Sequence, residues 1–165
     1  MVSSSTCIEK ELTYERTDDM SVLSTFNCGI FDMDEFIHGG LQNAILRKGL
    51  DTYIVRQEQD IVAILSVCNK SLESERSNRE LIDYQSKEIE YLAVRKDKRN
   101  NGIGRNIINW IEDNLAQDLK LLSVSAYIDV DSKYSAEPFY LKCGFIRISD
   151  PTHDLADHVR MVKFL

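Results

Sequence analysis

One stretch decides the fold, residues 89–115, which read IEYLAVRKDKRNNGIGRNIINWIEDNL. Its first six residues are mostly apolar and rich in β-forming side chains, and so short a run predicts a buried strand rather than a helix. Residues 95–101 are polar, carry four cations and end the strand abruptly. After Gly102 and Gly104, isoleucines recur at helical spacing, at Ile107, Ile108 and Ile111. This spacing predicts an amphipathic helix that begins at the glycines.

The turn between this strand and this helix has the features of a phosphate site. A helix N-terminus presents unpaired backbone N–H groups and a partial positive charge. Gly102 and Gly104 would let a diphosphate approach those amides, and Arg99 and Arg105 add cationic charge. An ordinary strand-to-helix turn is the alternative. Two common nucleotide motifs are excluded, because Ile107 stands where the dinucleotide fingerprint needs a glycine and no Walker lysine follows the turn.

The same turn resembles the acyl-CoA signature of the GNAT family of N-acetyltransferases, which reads Gln or Arg, two residues, Gly, any residue, then Gly or Ala. Residues 99–104, RNNGIG, match each fixed position. A second segment, AEPFYLKCGF at 136–145, resembles the family's helix-to-strand segment, with its Ala, apolar residue, Tyr and Gly-Phe. On these motifs the chain is identified as a member of the GNAT family, and the resemblance covers about residues 87–148.

The resemblance implies an α/β fold, with a single GNAT domain over residues 1–165 and an acyl-CoA-binding core at about 87–148. The expected sheet is mixed and twisted, has six or seven strands flanked by helices, and splays where the cofactor enters. A length of 165 residues and a hydrophobic content of 43% suit one domain with a sizeable core.

The resemblance also implies that acetyl-CoA is the co-substrate and that no metal is needed. Backbone groups of Leu92, Ala93 and Val94 would pair with the pantetheine arm. The diphosphate would be held by the turn and the start of the helix, at Arg99, Asn100, Asn101, Gly102, Ile103, Gly104 and Arg105.

Tyr140 matches the family tyrosine that lies near the sulfur and can protonate the departing thiolate. A phenol with an unperturbed pKa of about 10 stays protonated at neutral pH, which suits an acid. The alternative is that Tyr140 only packs beside Phe139 and makes a structural hydrogen bond.

Two carboxylates are candidates for the general base. Glu88 falls where the histone-modifying branch of the family carries its glutamate, and the two-residue period of a strand predicts Glu88 and Glu90 on one face with Leu92 and Val94, opposite Ile89. The alternatives are a solvated strand edge and a reaction that uses water or no fixed base.

The amino-terminal part contains Phe26, Gly29, Asp34 and Phe36, a spacing that resembles a toxin-like GNAT branch acting on aminoacyl-tRNA. A helix N-terminus closed by a hydrophobic staple is the alternative reading. The net charge of −7 argues against a broad nucleic-acid surface and leaves a local basic patch at 95–105.

The rest of the chain completes the expected sheet. We predict strands at 7–14 and 121–128, a short helix from Thr17 to Leu23, a longer helix from Ile30 that bends or breaks at Gly39-Gly40, and a hairpin of 51–56 with 61–67. Residues 70–83 are polar and predict a mobile loop. A further helix is predicted with its cap near Ser135, Pro138 in its first turn and Gly144 at its end, followed by strands at 146–148 and 158–164.

The amino-acid composition bears on the cellular compartment and on whether a metal site is expected. The four cysteines (Cys7, Cys28, Cys68 and Cys143) have no metal-site spacing, and no apolar run is long enough to cross a bilayer or to form a secretory signal, so we expect a cytoplasmic enzyme without a metal. The predicted reaction moves an acetyl group from acetyl-CoA to the primary amine of a small molecule or peptide. A toxin-like enzyme acting on aminoacyl-tRNA and a non-catalytic acyl-CoA sensor are the alternatives, and a homodimer paired through the last strands is compatible with the resemblance.

Overall fold

The structure is a computed structural model that describes residues 10–75, 81–128, 135–148 and 157–165. Its strands are β1 (Leu12–Arg16), β2 (Asp51–Gln57), β3 (Asp60–Glu75), β4 (Leu81–Val94), β5 (Leu121–Tyr127), β6 (Ile146–Arg147) and β7 (His158–Phe164). Its α-helices are α1 (Phe31–Gly39), α2 (Leu41–Lys48), α3 (Ile103–Asn114) and α4 (Glu137–Lys142). The strands form one seven-stranded sheet in the order β1-β2-β3-β4-β5-β7-β6.

Helices cover both faces of this sheet. The predicted apolar stripe of α3 is confirmed, because its four isoleucines, including Ile103, are buried against the sheet. On the opposite face, α1 and α2 bury Ile37, Leu41 and Ile45 against side chains of β2 and β3. Each fully buried side chain of this size stabilises the fold by about 1.5–3 kcal/mol. The predicted class, a single α/β domain built on a mixed sheet, is confirmed.

The sheet opens between β4 and β5. These two strands are parallel and pair only over residues 87–89 of β4 and 122–124 of β5, whereas β4 continues to Val94. Antiparallel pairing with β3 extends along β4 up to Val94, so the last residues of β4 have a strand on one side only. The edge of β4 that faces β5 is therefore open over residues 90–94.

A β-bulge lies just before this open edge. Ile89 is paired with Val67 and Tyr91 with Ser66, so Glu90 is the extra residue of β4. One inserted residue shifts the two-residue period, and side chains that follow the bulge change face relative to those that precede it.

The bulge overturns the predicted alternation of β4. Ile89 packs in the same core as Leu92 and Val94, the core that lies under α3. The prediction that Glu88 and Glu90 share a face with Leu92 and Val94, opposite Ile89, is therefore wrong. A strict period of two had been assumed, and the local sequence does not mark the insertion.

The predicted mobile loop at 70–83 is also wrong. Residues 70–75 of β3 pair with residues 81–86 of β4 as a continued antiparallel hairpin, and residues 76–80 of that prediction lie outside the described residues. Leu72 is buried against Leu121 and Val162. An arm of this kind needs few apolar side chains, so its polar composition resembles that of a loop.

The remaining elements follow the predictions with local differences. The break at Gly39-Gly40, the β2–β3 hairpin and the strand near the C-terminus are confirmed. The first strand begins at Leu12, and residues 7–9 lie outside the described part of the chain. The predicted short helix is a single 3-10 turn, Ser21–Leu23. Helix α4 has Pro138 in its first turn as predicted, but its N-cap is Ala136 rather than Ser135.

Candidate active site

A cavity of about 520 Å³ lies where β4 and β5 separate. Four segments line it: the end of β4, the turn into α3 with its first residues, helix α4, and the segment before and within α1. The predicted site residues that line it are Leu92, Ala93, Val94, Arg99, Asn100, Gly102, Ile103, Gly104, Arg105 and Tyr140. Asn101, Glu88 and Glu90 are not among its lining residues.

The N-terminus of α3 points its amides at this cavity without consuming them. Gly102 is the N-cap of α3 and has a φ of 77°, in the left-handed region that favours glycine. Among the residues that the structure describes, none accepts a hydrogen bond from the backbone N–H groups of residues 102–105. The partial positive charge of the helix end therefore remains available to an anion.

Gly104 is required by packing between two helices. A Cβ atom at this position would lie 2.8 Å from Cε2 of Phe139 in α4. The sequence had predicted a different reason, the approach of a diphosphate to the amides. The close contact sets the distance between α3 and α4, and it thereby positions Tyr140, the residue that follows Phe139.

Tyr140 is buried in an aromatic cluster at the cavity wall. Its ring makes T-shaped contacts with Phe139 and Phe145, at centroid distances of 4.9 and 5.2 Å, and its side chain is 5% exposed. Burial raises the pKa of Tyr140 far above the usual value of a phenol, and neighbouring Cys143 raises it further. No described residue hydrogen-bonds its hydroxyl, and Tyr140 is one of the residues that line the cavity.

Two thiols, those of Cys28 and Cys143, also line the cavity. Burial raises the pKa of both thiols above the ordinary value for cysteine. A protonated thiol is a poor nucleophile, so neither group is activated to carry an acyl group. This chemistry suits direct transfer between two bound substrates.

Glu88 is held in a buried ionic cluster. One carboxylate oxygen lies 2.5 Å from Nη1 of Arg160 and accepts a hydrogen bond from the Ser123 hydroxyl at 3.0 Å. The other oxygen is 3.1 Å from Nζ of Lys70. Glu88 and Arg160 are only 3% and 2% exposed. The cluster ties β3, β4, β5 and β7 together one residue before the last pair of β4 and β5, Ile89 with Val124.

Glu90, the bulge residue, faces α2. Its carboxylate is 3.3 Å from Nζ of Lys48, and its other oxygen accepts from the Cys68 thiol at 3.8 Å. The same lysine donates to the Tyr91 hydroxyl at 3.3 Å. The base role of Glu88 and Glu90 stays a prediction, and the contacts of both carboxylates lie outside the cavity.

Cations surround the part of the cavity next to α3. Lys98, Arg99, Arg105 and Lys142 all contribute to its lining. Arg105 donates to the backbone carbonyl of Lys142 at 2.8 Å, which links α3 to α4. This end of the cavity is positive although the whole chain carries a net charge of −7.

Sequence reasoning missed the wall formed by Cys28, Ile30 and Met33. These residues precede or begin α1 and stand opposite the predicted cofactor residues of β4 and α3. The signal that could have located them is the Phe26, Gly29, Asp34 spacing, which was interpreted as a family resemblance or as a helix N-terminus closed by a hydrophobic staple, and not as part of a cavity wall.

Two further searches of the described residues gave negative results. No group of three or more His, Cys, Asp and Glu side chains is arranged so that it could share a metal ion. No described helix is long and apolar enough to span a bilayer.

The fold is similar to that of several bacterial toxins. A structure described as a bacterial toxin aligns with a TM-score of 0.69 and 17% identity, over 94% of this chain and 91% of that one. The toxin AtaT complexed with acetyl-methionyl-tRNAfMet aligns with a TM-score of 0.66 and 21% identity, over 94% of both chains. A tyrosine-to-phenylalanine mutant of AtaT, bound to the C-terminus of the antitoxin AtaR and acetyl-CoA, aligns with a TM-score of 0.66 and 21% identity, over 93% and 92%. At these identities the likeness establishes the fold.

Sequence comparison places the chain in a family. The search of curated proteins gave no significant match. A family model described as an acetyltransferase (GNAT) domain matches residues 34–165, which include every cavity-lining residue except Cys28, Ile30 and Met33. With the predicted fold confirmed and the two motifs brought together at one cavity, the chain belongs to the GNAT family of acetyltransferases.

Proposed function

We propose that the cavity binds acetyl-CoA and that the chain transfers the acetyl group directly to a primary amine. One observation carries this proposal: a single cavity is lined by the unpaired amides at the N-terminus of α3 and by the protonated hydroxyl of Tyr140. The diphosphate would bind those amides beside Arg99 and Arg105, and the pantetheine arm would pair with the open edge of β4 at residues 92–94. The thioester would then lie towards Tyr140.

The proposed reaction begins with attack of a neutral amine on the thioester carbonyl carbon. The new C–N bond forms as the carbonyl oxygen takes up charge, and the C–S bond then breaks. Tyr140 donates its proton to the departing thiolate sulfur, and solvent water accepts the proton that the amine loses. Positioning of two bound substrates supplies most of the acceleration, and a general acid typically adds about 10²–10⁴-fold.

For the acceptor we propose the α-amino group of an aminoacyl-tRNA. The similarity to AtaT complexed with acetyl-methionyl-tRNAfMet extends over 94% of both chains and supports this acceptor. The cations beside the cavity are in keeping with a polyanionic partner. A small cationic amine, such as a polyamine, is the second candidate, and the net charge of −7 favours it.

A non-catalytic acyl-CoA sensor is less well supported. Such a protein would have no use for a buried, protonated phenol at the cavity wall, and Tyr140 is present there with no structural hydrogen bond among the described residues.

A thiol-release assay with acetyl-CoA tests the proposal. The acceptors are a charged tRNA, the same tRNA without its amino acid, a polyamine, an aminoglycoside and a lysine peptide. We expect release with the charged tRNA alone. Release with the polyamine and not with charged tRNA would favour the second candidate, and no release with any acceptor would contradict the enzyme assignment. Expression in a growing host should arrest growth only if translation is the target.

A further inference from the structure

The peptide bond between Cys28 and Gly29 lies between two opposite charges. Its N–H group, which belongs to Gly29, donates to Oδ2 of Asp34 at 3.1 Å. Its carbonyl group, which belongs to Cys28, accepts from the guanidinium of Arg99. The N–H of Cys28 also donates to Oδ1 of Asp34, at 2.7 Å. Asp34 and Arg99 are thus connected through one peptide unit.

The electrostatics of this arrangement are favourable throughout. The positive end of the peptide dipole faces the carboxylate, and its negative end faces the guanidinium. Hydrogen bonds to charged groups are roughly twice as strong as those between neutral groups. Bonds of both ends to one rigid planar unit restrict its rotation, so the backbone at Cys28 is strongly constrained.

This constrained peptide joins the two halves of the cavity. Arg99 is the first residue of the turn that leads into α3, the cofactor half. Cys28, Ile30 and Met33 line the same cavity from the segment before and at the start of α1, and we assign this segment to the acceptor half. A second bond supports the connection, because the N–H of Lys96 donates to the carbonyl of Asn27 at 3.0 Å.

We propose that Asp34 is a positioning residue of the acetyl-transfer reaction. Through the Cys28–Gly29 peptide, Asp34 and Arg99 hold the wall of the acceptor half at a fixed distance from the cofactor turn. The amine of the acceptor and the thioester of acetyl-CoA are thereby held at the distance that the transfer requires. This inference rests on the proposed function, and it gives Arg99 a role besides contact with a diphosphate.

The same arrangement explains why these residue types occur at these positions. Aspartate is short enough for both of its oxygens to reach consecutive N–H groups from the first turn of α1. An asparagine at position 34 would present one amide nitrogen, a donor, to one of those two donors. Asp34→Asn therefore keeps the shape of the side chain and removes the charge and at least one of the two bonds.

The test compares Asp34→Asn with the matched control Asp32→Asn. Asp32 lies in the same helix turn but is exposed, so the control makes the same change in charge. We expect Asp34→Asn to lower kcat/KM for the acceptor by about tenfold or more, since misplacement of a substrate by about 1 Å can cost 10²-fold. The Kd of acetyl-CoA should change by less than about threefold, and the control should stay within about twofold of the wild type in both quantities.

A double-mutant cycle with Arg99→Gln separates positioning from general stability. If Asp34 acts through Arg99, the double variant should have nearly the same acceptor kcat/KM as Arg99→Gln alone at saturating acetyl-CoA. Fold losses that multiply would overturn the proposal, because they would mean that the two residues act independently. If Asp34→Asn does not fold, Arg99→Gln must show the acceptor defect at saturating acetyl-CoA by itself, and a normal acceptor KM and kcat would overturn the proposal.

Failure of the proposed function and failure of the inference about Asp34 give different results. A wild-type chain that turns over no acceptor would overturn the proposed function and this inference with it. A wild-type chain that is active, with Asp34→Asn behaving like Asp32→Asn, would overturn this inference alone.

Discussion

Tyr140 is the single residue on which the proposed chemistry depends most. Its ring is fixed by Phe139 and Phe145, and its hydroxyl lines the cavity. Burial raises its pKa, which keeps the phenol protonated and able to act as an acid. The sequence motif singled out Tyr140 as the candidate acid, and that role stays a prediction; the packing beside Phe139, which the sequence offered as the alternative reading, is present in the structure.

Tyr140→Phe removes the hydroxyl and keeps the ring in its aromatic contacts. We expect kcat to fall by about 10²-fold, within the range typical of a lost general acid, because the thiolate would leave without its proton donor. The Kd of acetyl-CoA, measured by calorimetry, should stay within about twofold. Unchanged turnover at equal affinity would remove Tyr140 from the mechanism.

The pH dependence of wild-type turnover tests separately whether Tyr140 is protonated. Because the pKa of Tyr140 is raised, the acid should remain protonated up to at least about pH 10, the ordinary phenol value. The rate should therefore show no fall on the alkaline side below that pH. A loss of activity near pH 9 that is absent in Tyr140→Phe would contradict the assigned protonation state.

The role of Arg99 could be predicted from the sequence only in part. Its place in the acyl-CoA signature was clear from the six-residue pattern. Its bond to the carbonyl of Cys28 joins residues 71 positions apart, and no local pattern reports such a contact. The Phe26, Gly29, Asp34 spacing could likewise not be interpreted from the sequence alone. Asp34 binds the N–H groups of Cys28 and Gly29, and the carbonyl between them is bound by Arg99.

At the scale of elements, the site depends on how α3, α4 and β4 are placed against one another. The isoleucine period predicted α3, and short apolar runs rich in β-forming residues predicted the strands. The bulge at Glu90 was not predictable, because an inserted residue changes the pairing partner and leaves the local composition unchanged. The continued β3–β4 hairpin was missed for a related reason, since a strand segment with a mostly polar sequence carries no apolar period.

The contact between α3 and α4 can be tested with Gly104→Ala. The new methyl group would lie 2.8 Å from the ring of Phe139, so either this ring or one of the two helices must shift. Overpacking of this kind costs about 1–3 kcal/mol of unfolding free energy. Denaturant unfolding measures the loss, and activity should fall with it because Tyr140 shifts.

Gly39→Ala is the matched control for this change. Gly39 is the last residue of α1, and no atom lies within 4 Å of an added Cβ. The free energy of unfolding should stay the same or rise by up to about 1 kcal/mol through helix propensity. Equal stabilities for both variants would show that the predicted collision with Phe139 is absent.

The ionic cluster at Glu88 is expected to stabilise the sheet. Glu88→Gln removes the carboxylate that pairs with the buried guanidinium of Arg160, and loss of one partner of a buried pair costs about 3–5 kcal/mol. Chemical denaturation measures this loss. Glu15→Gln is the control, since its ion pair with Arg56 is exposed and contributes less than about 1 kcal/mol.

The same variant tests the predicted base. If Glu88 accepts the proton of the amine, Glu88→Gln should lose rate on the limb that rises with pH, beyond any loss explained by unfolding. A profile of unchanged shape would favour water as the proton acceptor.

On the scale of the whole molecule, an acidic chain builds a locally cationic cavity. The net charge of −7 is distributed away from the lining, where Lys98, Arg99, Arg105 and Lys142 meet the N-terminus of α3. Overall composition therefore indicated one domain with a sizeable core. The negative net charge, however, did not indicate that the cavity is cationic. The acceptor could not be predicted, because Cys28, Ile30 and Met33 of the cavity lining belong to a segment without a general chemical signature.

Binding of coenzyme A, followed through the amide NMR signals of Gly102 and Gly104, tests the central claim most directly. Saturating coenzyme A should shift both signals strongly, because the diphosphate would accept hydrogen bonds at the N-terminus of α3. Acetyl-pantetheine, which lacks the diphosphate, should shift the signals of Leu92 and Val94 and leave the two glycines nearly unchanged. Glycine signals that do not move at saturating coenzyme A would contradict the proposed site.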